Sequence, residues 1–110
     1  MNFTRQSIRI NPAAETERII TEPRRLVRQT MRRSGAVIGI SGGVDSSVVL
    51  ALAVRAFGAG RVVAVMMPER DSNPISRELA SALAAQLGVT PVLEDITPIL
   101  IGFDCYRRRD

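Results

Sequence analysis

Ser41, Asp45 and Ser46 stand in the string Ser41-Gly42-Gly43-Val44-Asp45-Ser46-Ser47, between two apolar runs. Hydroxyls at 41 and 46 can donate to anionic oxygens. Gly42 and Gly43 can take positive φ and let a ligand approach the backbone with no Cβ in the way. A carboxylate at 45 repels phosphate. Its presence beside such donors makes sense when a divalent cation lies between, and Mg²⁺ favours carboxylate plus phosphate oxygens. The chemistry open to this set is the grip of a phosphate-bearing ligand. A plainer role exists for the same residues: Ser41, Asp45 or Ser46 capping a helix after a tight glycine turn.

Position decides what these groups can reach. Upstream, Ala36-Val37-Ile38-Gly39-Ile40 is short, apolar and rich in β-branched residues, so it reads as a buried strand. Downstream, Val48-Val49-Leu50-Ala51-Leu52-Ala53-Val54 continues without turn residues to Gly58 and reads as a helix. Gly39 and Ile40 therefore lead a strand into a glycine turn, and Val44 sits where the helix opens. The first backbone amides of such a helix have no partner within it. They point, with the positive end of the helix dipole, at whatever lies above the strand end, and an anion there is stabilised.

The same residues carry a resemblance. Ser41-Gly42-Gly43-Val44-Asp45-Ser46 resembles the pyrophosphate loop (PP-loop) of the N-type ATP pyrophosphatases. That group includes NAD synthetases, GMP synthetases, asparagine synthetases and tRNA-thiolating enzymes. The longer run from Gly39 to Val49 is most similar to ammonia-dependent NAD synthetase. Val65-Met66-Met67-Pro68 resembles that family's strand ending in Met-Pro, and Asp95-Ile96-Thr97-Pro98-Ile99 its later Asp-Ile-x-Pro-Ile segment. The resemblance covers Gly35 to about Phe103. The Walker sequence with its lysine is absent.

This resemblance implies a Rossmann-like, adenine nucleotide alpha hydrolase-like fold, with ATP and Mg²⁺ as cofactors and deamido-NAD and ammonia as partners. Implied ATP-binding residues are Gly39, Ile40, Ser41, Gly42, Gly43, Val44, Asp45 and Ser46. Asp45 is on the metal, and Met66 and Met67 lie where the family receives the adenine ring. For both methionines, ordinary core packing is the competing role. The implied reaction is a ligase's: the deamido-NAD carboxylate attacks the α-phosphate of ATP, pyrophosphate leaves, and ammonia attacks the acyl-adenylate to give NAD and AMP. No histidine base is needed, and the chain has no histidine. Two alternatives stay open: another PP-loop adenylating enzyme, GMP synthetase-like or tRNA-thiolating, or a truncated, non-catalytic ATP-binding module. Family members are more than twice this long and form homodimers, so a partial domain is expected, joined to the remainder of a longer chain or to a second copy.

A length of 110 residues allows one small domain. No apolar run approaches the roughly 18 residues of a membrane span. Met1 to Arg5 lead into no apolar stretch, so no secretory signal is expected. Cys105 is the single cysteine, which forbids an internal disulfide and agrees with a cytoplasmic location. The net charge of +4 is uneven, with eight Arg and three Glu in residues 1–35. Arg24, Arg25, Arg28 and Arg32 fall at helical spacing without interleaved aromatics. A solvated helix face, rather than a nucleic-acid partner, is the reading that spacing favours. Residues 1–34 are thus expected to form a basic helical segment, and the resemblance implies that 35–110 are the N-terminal half of an ATP-pyrophosphatase domain.

Asn11-Pro12 starts a helix that Pro23 restarts or kinks and that runs to about Arg33. Strands follow at Ala36–Ile40, Arg61–Met67 and Pro91–Ile96. Helices lie between them, the second placing Ile75, Leu79, Leu83 and Leu87 on one face, and another begins at Thr97-Pro98. Arg70, Asp71 and Ser72 could be ribose or substrate contacts; the preferred reading makes Asp71, Ser72 or Asn73 helix caps. Glu94 and Asp95, adjacent on a strand, point apart and cannot act jointly. The fold class is α/β: an open parallel sheet with flanking helices, growing in one direction from an exposed first strand.

Overall fold

The computed structural model describes residues 2–110. Asn11 opens the first helix: its Oδ1 accepts from the amides of Ala13 at 3.1 Å and Ala14 at 3.2 Å. Pro12 follows in the first turn, where a missing N–H costs nothing. This helix, α1 (Pro12–Arg25), carries Pro23 inside its last turn and continues as a π-helical turn over Leu26–Thr30. Pro23 removes one ladder bond, and a widened turn is a common way to absorb such a break. The expected run to about Arg33 is thus shorter and irregular. Past it, a Cβ on Gly35 would overlap the carbonyl oxygen of Arg61.

Next come β1 (Ala36–Gly39), α2 (Val44–Phe57), β2 (Val62–Met66), α3 (Pro74–Gln86) and β3 (Pro91–Leu93). The strands form one parallel sheet in the order β1-β2-β3. Gly39 lies opposite Val65, and Val65 opposite Val92. The strands end earlier than the apolar runs because their ends pair irregularly. Ile40 N–H donates to the Val65 carbonyl at 2.9 Å, Glu94 N–H to that of Met66 at 2.8 Å, and Ile96 N–H to that of Pro68 at 3.0 Å. Two short helices, α4 (Thr97–Gly102) and α5 (Cys105–Arg109), stand where one was expected, separated by Asp104 at φ 61°.

The core lies between one face of the sheet and α2 and α3. Val62, Ala64 and Met66 of β2 are buried with Leu50, Ala53, Ala56 and Phe57 of α2 and Ala80 and Ala84 of α3. The α3 face differs from the expected one. Ile75 and Leu79 are exposed, Leu83 and Leu87 pack at the margin, and the two alanines face the sheet. Small side chains let the helix come close to β2. Leu50 is wholly enclosed. Leu50→Ala should therefore cost about 2–5 kcal/mol, read from a urea unfolding curve; a loss under about 1 kcal/mol would mean the site collapses freely.

The basic N-terminal segment joins this core. Ile20 of α1 is buried in the same cluster. Arg24, expected on a solvated face, donates from Nε to the Ala56 carbonyl at 2.9 Å and from Nη2 to that of Arg55 at 3.2 Å. It thereby satisfies carbonyls at the end of α2, where a cation also suits the dipole. Arg25 instead pairs with Glu22 on the surface. No helix among the described residues is long and apolar enough to cross a membrane.

Candidate functional site

A cleft of about 400 Å³ opens beyond the carboxyl ends of β1 and β2. Gly39, Ile40 and Ser41 enter it from β1, Ser46 from α2, and Met66 and Met67 from β2. Pro68, Ser72, Asn73, Ser76, Arg77 and Ala80 close the far side. Parallel sheets place ligands at these strand ends, because loops and helix N-termini converge there.

The loop between β1 and α2 is tied by its own hydroxyls. Ser41 N–H donates to Ser46 Oγ at 3.1 Å, the two Oγ atoms lie 3.1 Å apart, and Gly43 N–H donates to Ser41 Oγ at 3.2 Å. Ser47 Oγ donates to the Gly43 carbonyl at 2.5 Å. Gly43 is the N-cap of α2, and no side chain caps that helix. The capping role open to Ser41, Asp45 and Ser46 is therefore not the one they play. The first-turn amides of Val44, Asp45 and Ser46 carry no side-chain acceptor and stay available to an anion.

Gly42 has φ +83°, and a Cβ on it would overlap the carbonyl oxygen of Ser76. The loop thus lies against the first turn of α3, and glycine is required twice over: for its backbone and for the close approach. A Cβ on Gly39 would crowd only Met67 Cε, at 3.2 Å, the end of a flexible side chain. Gly42, Gly43, Val44 and Asp45 form the loop and first turn beside the cleft without lining it. Val44 and Asp45 are exposed. Met66 is buried in the core and also lines the cleft; Met67, half exposed, lines it too.

The segment from Pro68 to Asn73 was legible only in part. Asn73 caps α3, its Oδ1 accepting from Ile75 N–H at 2.9 Å, and it also lines the cleft. Ser72 closes the turn by accepting from Glu69 N–H at 2.9 Å. Asp71 is no cap: it pairs with Arg70 and, at 2.8 Å, with Arg109, and those guanidinium groups, Arg70 first, hold its carboxyl below the usual range. Tyr106 anchors the same segment from behind. Its hydroxyl donates to Glu69 Oε2 at 2.6 Å and accepts from Arg70 N–H at 3.3 Å, while the Arg70 guanidinium stacks 3.7 Å from its ring centroid. Arg77 was missed altogether, since apolar periodicity says nothing about a polar residue on an amphipathic helix. Cys105 is exposed, outside the cleft.

The NAD synthase family model matches residues 16–108. The chain belongs to the NAD synthase family. It is 47% identical over 108 residues to the NH(3)-dependent NAD(+) synthetase of Rhizobium meliloti, covering 98% of this chain and 32% of that one. Among solved structures, the NH3-dependent NAD synthetase of Campylobacter jejuni matches with a TM-score of 0.79 at 32% identity, over 86% of this chain and 41% of that one. The glutamine-dependent NAD+ synthetase of Acinetobacter baumannii, solved in complex with ADP, matches with a TM-score of 0.76 at 39% identity, over 80% and 16%. The fold is the PP-loop, Rossmann-like α/β fold of these NAD synthetases. The chain spans about a third of the length of the curated relatives it matches.

Proposed function

We propose that this NAD synthase-family chain is the ATP-binding, N-terminal part of a cytoplasmic ligase that makes NAD from deamido-NAD and ammonia. The observation that carries this reading is the uncapped start of α2 at the mouth of the cleft, on the loop most like the family's. Residues 35–110 are then the first half of the ATP-pyrophosphatase domain, and residues 1–34 a basic helical segment packed on it. The assembly is completed by the rest of a longer chain and pairs as a homodimer.

In the proposed reaction the deamido-NAD carboxylate attacks the α-phosphorus of ATP. The bond to the pyrophosphate oxygen breaks, and an acyl-adenylate forms. Ammonia then adds to the carbonyl, loses a proton and expels AMP, leaving the amide of NAD. The nucleophile is already an anion, so this part of the protein contributes position and charge rather than a base. The amides of Val44, Asp45 and Ser46, with the Ser41 and Ser46 hydroxyls, hold the departing pyrophosphate. Gly42 and Gly43 leave room for it, Gly39 and Ile40 set the loop's height, and Met66 and Met67 face the adenine.

Mg²⁺ fits the donors present. Asp45 is exposed in the first turn of α2, and among the described residues no group of three or more His, Cys, Asp or Glu could hold an ion alone. A single carboxylate completed by phosphate oxygens is a set that suits Mg²⁺. Asp45 would hold it, and the ion would supply charge neutralisation to the phosphates. Titrating ATP into the chain with and without Mg²⁺ tests this. The wild type should bind more tightly with the metal, and Asp45→Asn should lose about tenfold of that gain, the scale of one charge-assisted contact. An unchanged Mg²⁺ dependence in Asp45→Asn would remove the role given to the carboxylate.

A further inference from the structure

Arg77 is the only charged residue lining the cleft. Every other lining group is apolar, a hydroxyl, an amide or glycine. The fold gives this cation no work. Among the described residues it has no ion pair and no side-chain hydrogen bond, a state it shares with seven of the other fourteen arginines, but none of those lines the cleft. Its place on α3 is also unfavourable. It stands four residues after the Asn73 cap, near the positive end of the helix, where a cation is repelled rather than stabilised. The side chain is exposed, so packing does not account for it either.

Two positive features therefore adjoin one cleft: the uncapped start of α2 beside it and Arg77 in its lining. They are neighbours, because the Gly42 loop lies against Ser76, the residue before Arg77. One phosphate answers a helix N-terminus; a second cation beside it asks for a ligand with more than one phosphate. The chain contains no lysine, so no ammonium from these residues can serve that end. A guanidinium presents paired donors that match two phosphate oxygens at once.

We propose that Arg77 binds the pyrophosphate moiety of the nucleotide, selecting a polyphosphate tail over a monophosphate and holding the leaving group. This rests on the nucleotide-site reading above and names a residue for it. The test compares ATP, inorganic pyrophosphate and AMP as titrants of the wild-type chain and of Arg77→Gln and Arg77→Lys, at fixed Mg²⁺ and ionic strength. Arg77→Gln should weaken ATP and pyrophosphate about tenfold each and leave AMP within about twofold, as expected for one lost charge-assisted contact. Arg77→Lys should recover part of the loss, since it restores the charge but not the fork. Equal weakening of AMP, or ATP and pyrophosphate affinities unchanged in Arg77→Gln, overturns the assignment while the cleft stays a nucleotide site. A wild-type chain that binds neither ATP nor pyrophosphate overturns both.

Discussion

Gly42→Ala should abolish measurable ATP binding and destabilise the chain by about 2 kcal/mol or more. Two costs combine. An alanine at φ +83° carries the left-handed penalty of roughly 1–2 kcal/mol. Its Cβ would also overlap the Ser76 carbonyl, which belongs to the first turn of α3 and cannot rotate away as a side chain would. Relief requires the loop and α3 to separate, which moves the uncapped amides of α2 relative to Arg77 and the rest of the cleft. Gly58 supplies the control. It has φ +90°, yet a Cβ there would meet nothing within 4 Å. Gly58→Ala should therefore show the backbone penalty alone and leave ATP affinity unchanged. Chemical denaturation and an ATP titration of both variants separate the terms. If Gly42→Ala leaves ATP affinity as unchanged as Gly58→Ala does, the contact with Ser76 does not set the loop.

The contrast between those glycines shows what a linear sequence carries and what it hides. The strand, glycine turn and helix from Ala36 to Phe57 were legible because continuous β-branched residues, a two-glycine break and a run of helix formers are all local signals. The parallel order was legible for the same reason, since strand and helix patterns alternate. Hidden was every feature set by contacts between distant segments. Nothing in Gly42 announces Ser76, and nothing in Tyr106 announces Glu69, its hydrogen-bond partner 37 residues away. Arg24 looked like one of four arginines on a wet face, whereas it bonds to the end of α2. The α3 face failed for a different reason. Ile75, Leu79, Leu83 and Leu87 form the larger apolar stripe, but the close approach to β2 favours Ala80 and Ala84. Size, not hydrophobicity, chose the buried face there. Within the site, the cleft took in Ser41, Ser46 and both methionines as expected, and added Arg77, which no apolar pattern marks.

On its own, the 110-residue chain should bind ATP yet form no NAD from deamido-NAD, ATP and ammonia. The sheet shows why. Alternation along β2 buries Val62, Ala64 and Met66 against the helices and turns Val63 to the opposite side. Val37 of β1 lies beside Val63 and is 71% exposed; Val92 of β3, beside Val65, is 47% exposed. One face of a parallel sheet is thus largely bare, though such sheets are normally covered on both. Among the described residues β1 pairs only with β2, so its other edge offers free backbone donors and acceptors. The cleft lies at the end of that half-covered sheet, its walls coming from the ends of β1 and β2, the loops that follow them, α2 and α3. On the reading proposed above, nucleotide grip and substrate alignment part company: the first draws on the loop, α2 and Arg77, and the second on groups this chain does not supply. An enzymatic cycling assay for NAD, run beside an ATP titration, reads both. Binding with no product is the expected outcome, and supplying the two thirds of the Rhizobium meliloti relative that this chain does not match should restore product. Sustained NAD formation by the chain alone would show that the open cleft already holds both substrates in line.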